Sequence, residues 1–225
     1  MNFLSHYYFD STNTNAYQVV GSLLPDLVKN ATKNHNIYPE KLDQNLFNNQ
    51  NHSYILQGWK KHLLVDKFFH SSDFFTHHQH QLKLQLTPIL LSSPIKPFFL
   101  AHIGLELLLD SLLIAENKID VEQLYLQLNQ VDEFELISFL EIAQLKDNDT
   151  FLNFYHFFKN EKYLETYAHT DKISYALKRI CMRIWETPMN HNQEIQLTQI
   201  LNAYKIKLSQ DFIFIFETIA AKLIT

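Results

Sequence analysis

Pro97-Phe-Phe-Leu-Ala-His-Ile-Gly-Leu-Glu-Leu-Leu-Leu-Asp-Ser-Leu-Leu-Ile-Ala115 is apolar almost all the way round, the pattern of a helix buried inside a domain. It is too short and too interrupted for a membrane span. Within it His102, Glu106 and Asp110 recur at intervals of four. At about 100° per residue, two such steps drift by about 80°, so the three side chains share one face. Burying these groups among leucines costs several kcal/mol unless they are paired or neutralised. They either form a polar network with neighbouring helices or point together at a cation.

A second stripe lies upstream. A helix is expected from Ser53 to about Gln81, with His62, Asp66 and His70 at fours and Asp73 and His77 on the same face. His62 and Asp66 read as the buried part of that stripe; a plain His–Asp pair satisfies the spacing without a metal. His70, Asp73 and His77 read as a solvated face near the helix end, with His78 and His80 more exposed still.

Composition narrows the field. A chain of 225 residues suits one domain spanning 1–225, and 46% hydrophobic residues exclude disorder. Nineteen Lys and Arg against 24 acids, a net charge of −5, argue against a general nucleic-acid binder. The single cysteine, Cys181, excludes an internal disulfide framework and fits a reducing, cytoplasmic setting. It reads as a helix position without a catalytic role. Met1-Asn-Phe-Leu-Ser-His6 lacks the basic and apolar regions of a signal peptide.

Only three glycines occur, too few for turn-rich β folds or phosphate-cradling loops. Gly21, Gly58 and Gly104 each lie within five residues of Asp26, His62, or His102 and Glu106. Glycine inside a helix costs about 1 kcal/mol relative to alanine, so close packing or site access is the expected compensation.

The rest of the chain reads as helices. Residues 16–29 carry Val19, Val20, Leu23, Leu24, Leu27 and Val28 on one side, with Pro25 expected to end or bend the helix beside Asp26. Asn-rich connections are expected over 30–36 and 48–51, and a short helix near Pro39. Further helices are expected at about 120–129, 132–145, 149–158, 161–168, 171–186 and 193–223. Phe134, Phe139, Phe151, Phe154, Tyr155, Phe157 and Phe158 read as core. Phe212-Ile-Phe-Ile-Phe216 reads as helix presenting an apolar face to a partner chain, a second copy included. The fold class is all-α, a single-domain multi-helix bundle.

No nucleophile elbow, zinc-finger spacing or His-Glu-x-x-His occurs. What remains is a set of His and carboxylate groups on separate helices: His6, Asp26, His62, Asp66, His102, Glu106 and Asp110. Mixed nitrogen and oxygen ligands suit Mn²⁺, Fe²⁺ or Zn²⁺, and oxygen-rich subsets suit Mg²⁺; Mn²⁺ is the first expectation. Such a centre binds a phosphate oxygen and acidifies water, which points to a phosphoester hydrolase.

Several blocks resemble the bacterial acyl-carrier-protein phosphodiesterases. Met1-Asn-Phe-Leu-Ser-His6 is similar to that family's Met-Asn-Phe-Leu-Ala-His, and Gly21-Ser-Leu-Leu-Pro-Asp26-Leu-Val-Lys29 to its Gly-Asn-Leu-Leu-Ala-Asp-Phe-Val-Arg. Gly58-Trp-Lys-Lys-His62-Leu-Leu-Val-Asp66 is similar to its Gly-x-x-x-His-Arg-x-Ile-Asp, and Glu106 and Asp110 stand where it has Asp-x-x-x-Asp. The likeness covers the first seventy or so residues and 100–113, and fades through the C-terminal half.

The resemblance implies a fold related to the HD-type metal phosphohydrolases and release of 4′-phosphopantetheine from acyl carrier protein. It implies that His6, Asp26, His62, Asp66 and Asp110 hold a metal or orient water, with Asp26, His62 and Asp66 catalytic; His102 and Glu106 complete the stripe. Acyl carrier protein, or another phosphodiester, is then the partner. Neither nucleic acid nor membrane is expected. The chain departs from the family at Leu63, where the family's arginine would clamp phosphate, and at Lys29, Asn30 and Ser111. A noncatalytic relative that keeps the stripes for structure or metal binding is the alternative.

Overall fold

The computed structural model describes residues 1–32 and 36–224. Part of the expected 30–36 connection, residues 33–35, lies outside them. The described residues form α-helices and short 3₁₀ turns with no strand, so the protein is all-α. The helices are α1 (Phe3–Tyr8), α2 (Ala16–Ala31), α3 (Gln50–His70), α4 (Asp73–Leu86), α5 (Pro97–Ala115) and α6 (Val121–Gln130). They continue with α7 (Glu133–Ile142), α8 (Asn148–Glu161), α9 (Thr170–Cys181), α10 (His191–Leu208) and α11 (Phe212–Ile224). The chain divides into two compact units, Met1–Ser5 with Lys67–Lys118 and Thr166–Thr225, and His6–Asp66 with Ile119–Glu165.

The first unit is built on α5. Pro97 opens the helix, where a missing N–H costs nothing. Asn117 closes it in the left-handed region, φ 50°, as the Lys118 amide reaches back to the Leu113 carbonyl at 2.9 Å. Leu100, Leu105, Leu108, Leu109, Leu112 and Leu113 are buried against α4, α9 and α10. The expectation that this stretch is too short for a membrane span is corrected: among the described residues α5 is the one helix long and apolar enough to cross a membrane, but most of it is buried by its own chain, as in a core helix.

The second unit packs α2 against α6 and α8. Asn15, Asp120, Asp132 and Asp147 cap α2, α6, α7 and α8, each side-chain oxygen accepting an orphan amide of the first turn. Gly21 of α2 faces the backbone carbonyl of Ile55 in α3, and Gly58 of α3 faces that of Gln18. A Cβ on either glycine would overlap the opposing main chain. The two helices therefore cross backbone to backbone. Gly104 is different: a Cβ there would meet Leu82, Leu177 and Leu201 side chains at 3.5–3.8 Å, ordinary contact. The expected close packing holds for two of the three glycines.

Several expected boundaries are corrected. The helix expected from Ser53 to Gln81 is two, because Ser72 turns the chain and its Oγ accepts the Phe75 amide at 3.0 Å. That capping option outcompetes the continuous ladder. The helix expected over 193–223 breaks at Ser209-Gln210-Asp211, and 161–168 becomes a 3₁₀ segment, Tyr163–Ala168. α2 runs on past Pro25 to Ala31, and α3 begins inside the expected 48–51 loop, with Asn49 Oδ1 accepting the Asn51 amide at 2.8 Å. Phe134 and Phe157 are exposed, while Phe139, Phe151, Tyr155 and Phe158 are core.

Candidate metal centre

The ionisable stripes resolve into two triads, one within each unit. In the second unit α1 supplies His6 and α3 supplies His62 and Asp66. The α2–α3 glycine crossing brings the Ser22 carbonyl to 2.8 Å from His62 Nδ1. A carbonyl only accepts, so Nδ1 carries a proton, and the neutral tautomer of His62 compatible with this bond has its lone pair on Nε2. That Nε2 stands 3.7 Å from Asp66 Oδ2. His6 Nε2 stands 3.3 Å from Asp66 Oδ1, and the His6 and His62 rings stack at 3.6 Å.

His6 is the anomaly. It is 2% exposed, its Nδ1 has no hydrogen-bond partner, and its Nε2 has only the 3.3 Å approach to Asp66 Oδ1. Burial, and next the neighbouring His62, push it down to about 3 against the pull of Asp66, so the ring is neutral at physiological pH. Burial pushes Asp66 up, but its interactions with His6 and His62 outweigh this and hold it well below the usual carboxylate range. A carboxylate and two imidazoles thus converge, His6 neutral and His62 with Nε2 turned toward Asp66.

Bonds of about 2.0–2.2 Å to nitrogen and oxygen place adjacent ligands of one ion roughly 3.0–3.5 Å apart. The separations of 3.3 and 3.7 Å lie near that range. The donor set, two imidazoles and a carboxylate, fits Mn²⁺, Fe²⁺ or Zn²⁺ better than Mg²⁺. Asp66, one-third exposed, keeps the site open on one side.

The turn after α1 is fastened to the same helix. Lys61 donates to the Phe9 carbonyl at 2.7 Å and to Asp10 Oδ1 at 2.9 Å, and Asp10 is buried. His6 is thereby held against the face of α3 that carries His62.

The second triad belongs to the first unit. His70, the last residue of α3, and His102 of α5 place Nε2 at 3.1 and 3.0 Å from Glu106 Oε1. The Met1 nitrogen is 3.2 Å from the same oxygen. Burial pushes Glu106 up, but the Met1 amino group, His102 and His70 outweigh it and hold the carboxyl well below its ordinary value. The sequence places His102 and Glu106 on one stripe and His70 at a spacing of four after Asp66, but the expectation that His70 belongs to a solvated face is corrected: it is one-third exposed and meets Glu106.

Asp110 and Asp26 belong to neither triad. Asp110 accepts Asn2 Nδ2 at 2.8 Å, the Leu4 and Ser5 amides at 3.2 and 2.8 Å, and Ser5 Oγ at 2.6 Å. It fastens the start of α1 to α5, with its oxygens taken by four donors. Asp26 is half-buried on α2, its backbone carbonyl accepting Asn30 Nδ2 at 2.9 Å. Asp73, His77 and His80 are exposed as expected.

His78 is corrected from exposed to buried. Its Nδ1 lies 2.9 Å from Tyr204 Oη and its Nε2 3.3 Å from Asp211 Oδ2. The break before α11 positions Asp211 there. Cys181 is buried, and burial pushes its thiol up to about 11, far from a thiolate nucleophile.

No protein family, curated protein or solved structure matches this chain.

Proposed function

We propose that the protein is a divalent-metal-dependent phosphodiester hydrolase whose cation is held by His6, His62 and Asp66. The observation that carries this reading is the tautomer lock: Ser22 fixes a proton on His62 Nδ1, so Nε2 meets the Asp66 carboxylate beside a buried His6 whose Nδ1 is unpartnered and whose Nε2 also approaches Asp66. In the neutral tautomer the His62 Nε2 lone pair faces the Asp66 carboxylate across 3.7 Å and repels it unless a cation or proton lies between them. When bound, a divalent cation supplies Lewis acidity toward a phosphoryl oxygen and a lowered pKa for water. His6 and His62 would donate nitrogen and Asp66 would neutralise charge, while Asp26, which the resemblance also counts as catalytic, lies outside the triad and takes no step here. The resemblance to acyl-carrier-protein phosphodiesterases supports the same residues and an HD-related fold, with Mn²⁺ as the first choice.

The second reading is a noncatalytic metal-binding relative. It is favoured by one observation: Leu63 and Leu64 are 39% and 44% exposed where the family carries its arginine, so no guanidinium clamps phosphate there. The test is to strip the full chain of metal, reload with Mn²⁺, and assay an activated aryl phosphodiester and holo acyl carrier protein. Turnover on the aryl ester that Asp66→Asn abolishes supports the enzyme, with carrier-protein cleavage weak until Leu63→Arg restores a clamp. Bound Mn²⁺ without turnover in the parent or in Leu63→Arg leaves the noncatalytic reading.

A further inference from the structure

We infer that His70, His102 and Glu106 form a second, separate transition-metal site of the Zn²⁺ class. It is independent of the reading above, because it shares no ligand with the His6 triad and lies within the other unit.

Three nitrogens, His70 Nε2, His102 Nε2 and that of Met1, approach one oxygen, Glu106 Oε1, at 3.0–3.2 Å. A carboxylate oxygen offers two in-plane lone pairs, so three N–H donors overfill it. The imidazole–carboxylate separations also match adjacent ligands of one ion, roughly 3.0–3.5 Å apart for bonds of 2.0–2.2 Å. Both rings can turn Nε2 into a ligand by carrying the proton on Nδ1. Each is about one-third exposed, at 33% and 38%, so that Nδ1–H can reach water.

The rings are held for this task. Phe75, buried at the start of α4, meets His70 edge-on at 4.9 Å and His102 at 5.0 Å. Phe69 meets His70 edge-on at 5.1 Å and Phe75 at 5.0 Å. Ser72 pins the Phe75 amide, so the helix break that divides α3 from α4 also sets the aromatic wedge. Preorganised rings lose little freedom on binding. Two imidazoles and one carboxylate are the ligand set of open zinc sites, with a fourth position left for solvent or ligand. Hard cations such as Mg²⁺ and Ca²⁺ are disfavoured by two nitrogens.

The test uses the full chain, stripped with a chelator and titrated with Co²⁺ alone, followed by its visible absorption and then by Zn²⁺ displacement. Helical content is checked by circular dichroism. Two equivalents are expected for the parent, and one each for His70→Ala and His102→Ala, whose partly exposed rings can be truncated without opening the core. His6→Ala should also bind one, and His6→Ala/His102→Ala none. Stoichiometry unchanged in both His70→Ala and His102→Ala overturns the second site, as does a parent that binds one equivalent lost in every variant. An unchanged stoichiometry in His6→Ala alone removes the first site and leaves this one standing.

Discussion

His62 Nδ1 donates to the carbonyl oxygen of Ser22 at 2.8 Å, and that bond exists because α2 and α3 touch main chain to main chain. The contact needs glycine on both sides, Gly21 and Gly58. The orientation of the His62 ring is thus set by the absence of two side chains one and four residues away from the bonded pair.

Gly58→Ala and Gly21→Ala should each destabilise the fold by about 3 kcal/mol or more, since backbone rather than a flexible side chain must give way. Gly104→Ala should instead be neutral or stabilising by about 0.5–1 kcal/mol, because its methyl finds ordinary contact and the helix gains propensity. Urea denaturation of the three variants decides; equal costs at all three positions would contradict the crossing.

His6→Phe separates function from stability. The native ring buries an unpartnered Nδ1 and a long 3.3 Å approach of Nε2 to Asp66, so an apolar ring of similar size should stabilise the metal-free protein by about 1 kcal/mol. Mn²⁺ is expected to raise the parent's melting temperature, and the variant should lose the part of that rise that the His6 triad contributes. A variant less stable than the metal-free parent would mean that His6 is satisfied by the fold itself.

Asp110 sets a pH dependence. Burial pushes its carboxyl up to about 7 against the pull of Ser5, Leu4 and Asn2. Between about pH 4 and that value the folded state keeps a proton that the unfolded chain releases, so this group's contribution to stability falls as pH rises through the window. Asp110→Asn should cost about 2–4 kcal/mol by setting amide hydrogens against the donors of Asn2 and Leu4, and should remove that slope. Stability curves of parent and variant that run parallel from pH 4 to 7 would assign the slope elsewhere.

Lys61→Met should cost about 3–5 kcal/mol, because it leaves the buried Asp10 carboxylate without its cation and the Phe9 carbonyl without its donor. Its second effect should be a loss of Mn²⁺ affinity, as the turn that seats His6 loosens. Lys61→Arg should recover part of both. Calorimetric titration with Mn²⁺ reads this, and an affinity unchanged in Lys61→Met would free His6 from that anchor.

Most of the helical architecture was legible in the chain. Pro97–Ala115 announces a buried helix by apolar residues on every side, and the scarcity of glycine leaves little turn chemistry for sheets. Helix ends were less legible. At Ser72 and Ser209 the periodicity continues across the break, and a local side-chain bond or a turn decides against the ladder where the pattern is silent.

Sequence spacing likewise determined which ionisable groups share a helix face: His62 with Asp66, and His102 with Glu106. Their partners came from elsewhere in the chain, because ligation depends on distance in space and spacing reports only one helix at a time. Tertiary structure alone decided that His6 stacks on His62, that His70 joins His102 and Glu106, and that four donors from the start of the chain engage Asp110. It alone decided the His62 tautomer too, since a backbone carbonyl has no signature in the sequence and Ser22 acts through its main chain.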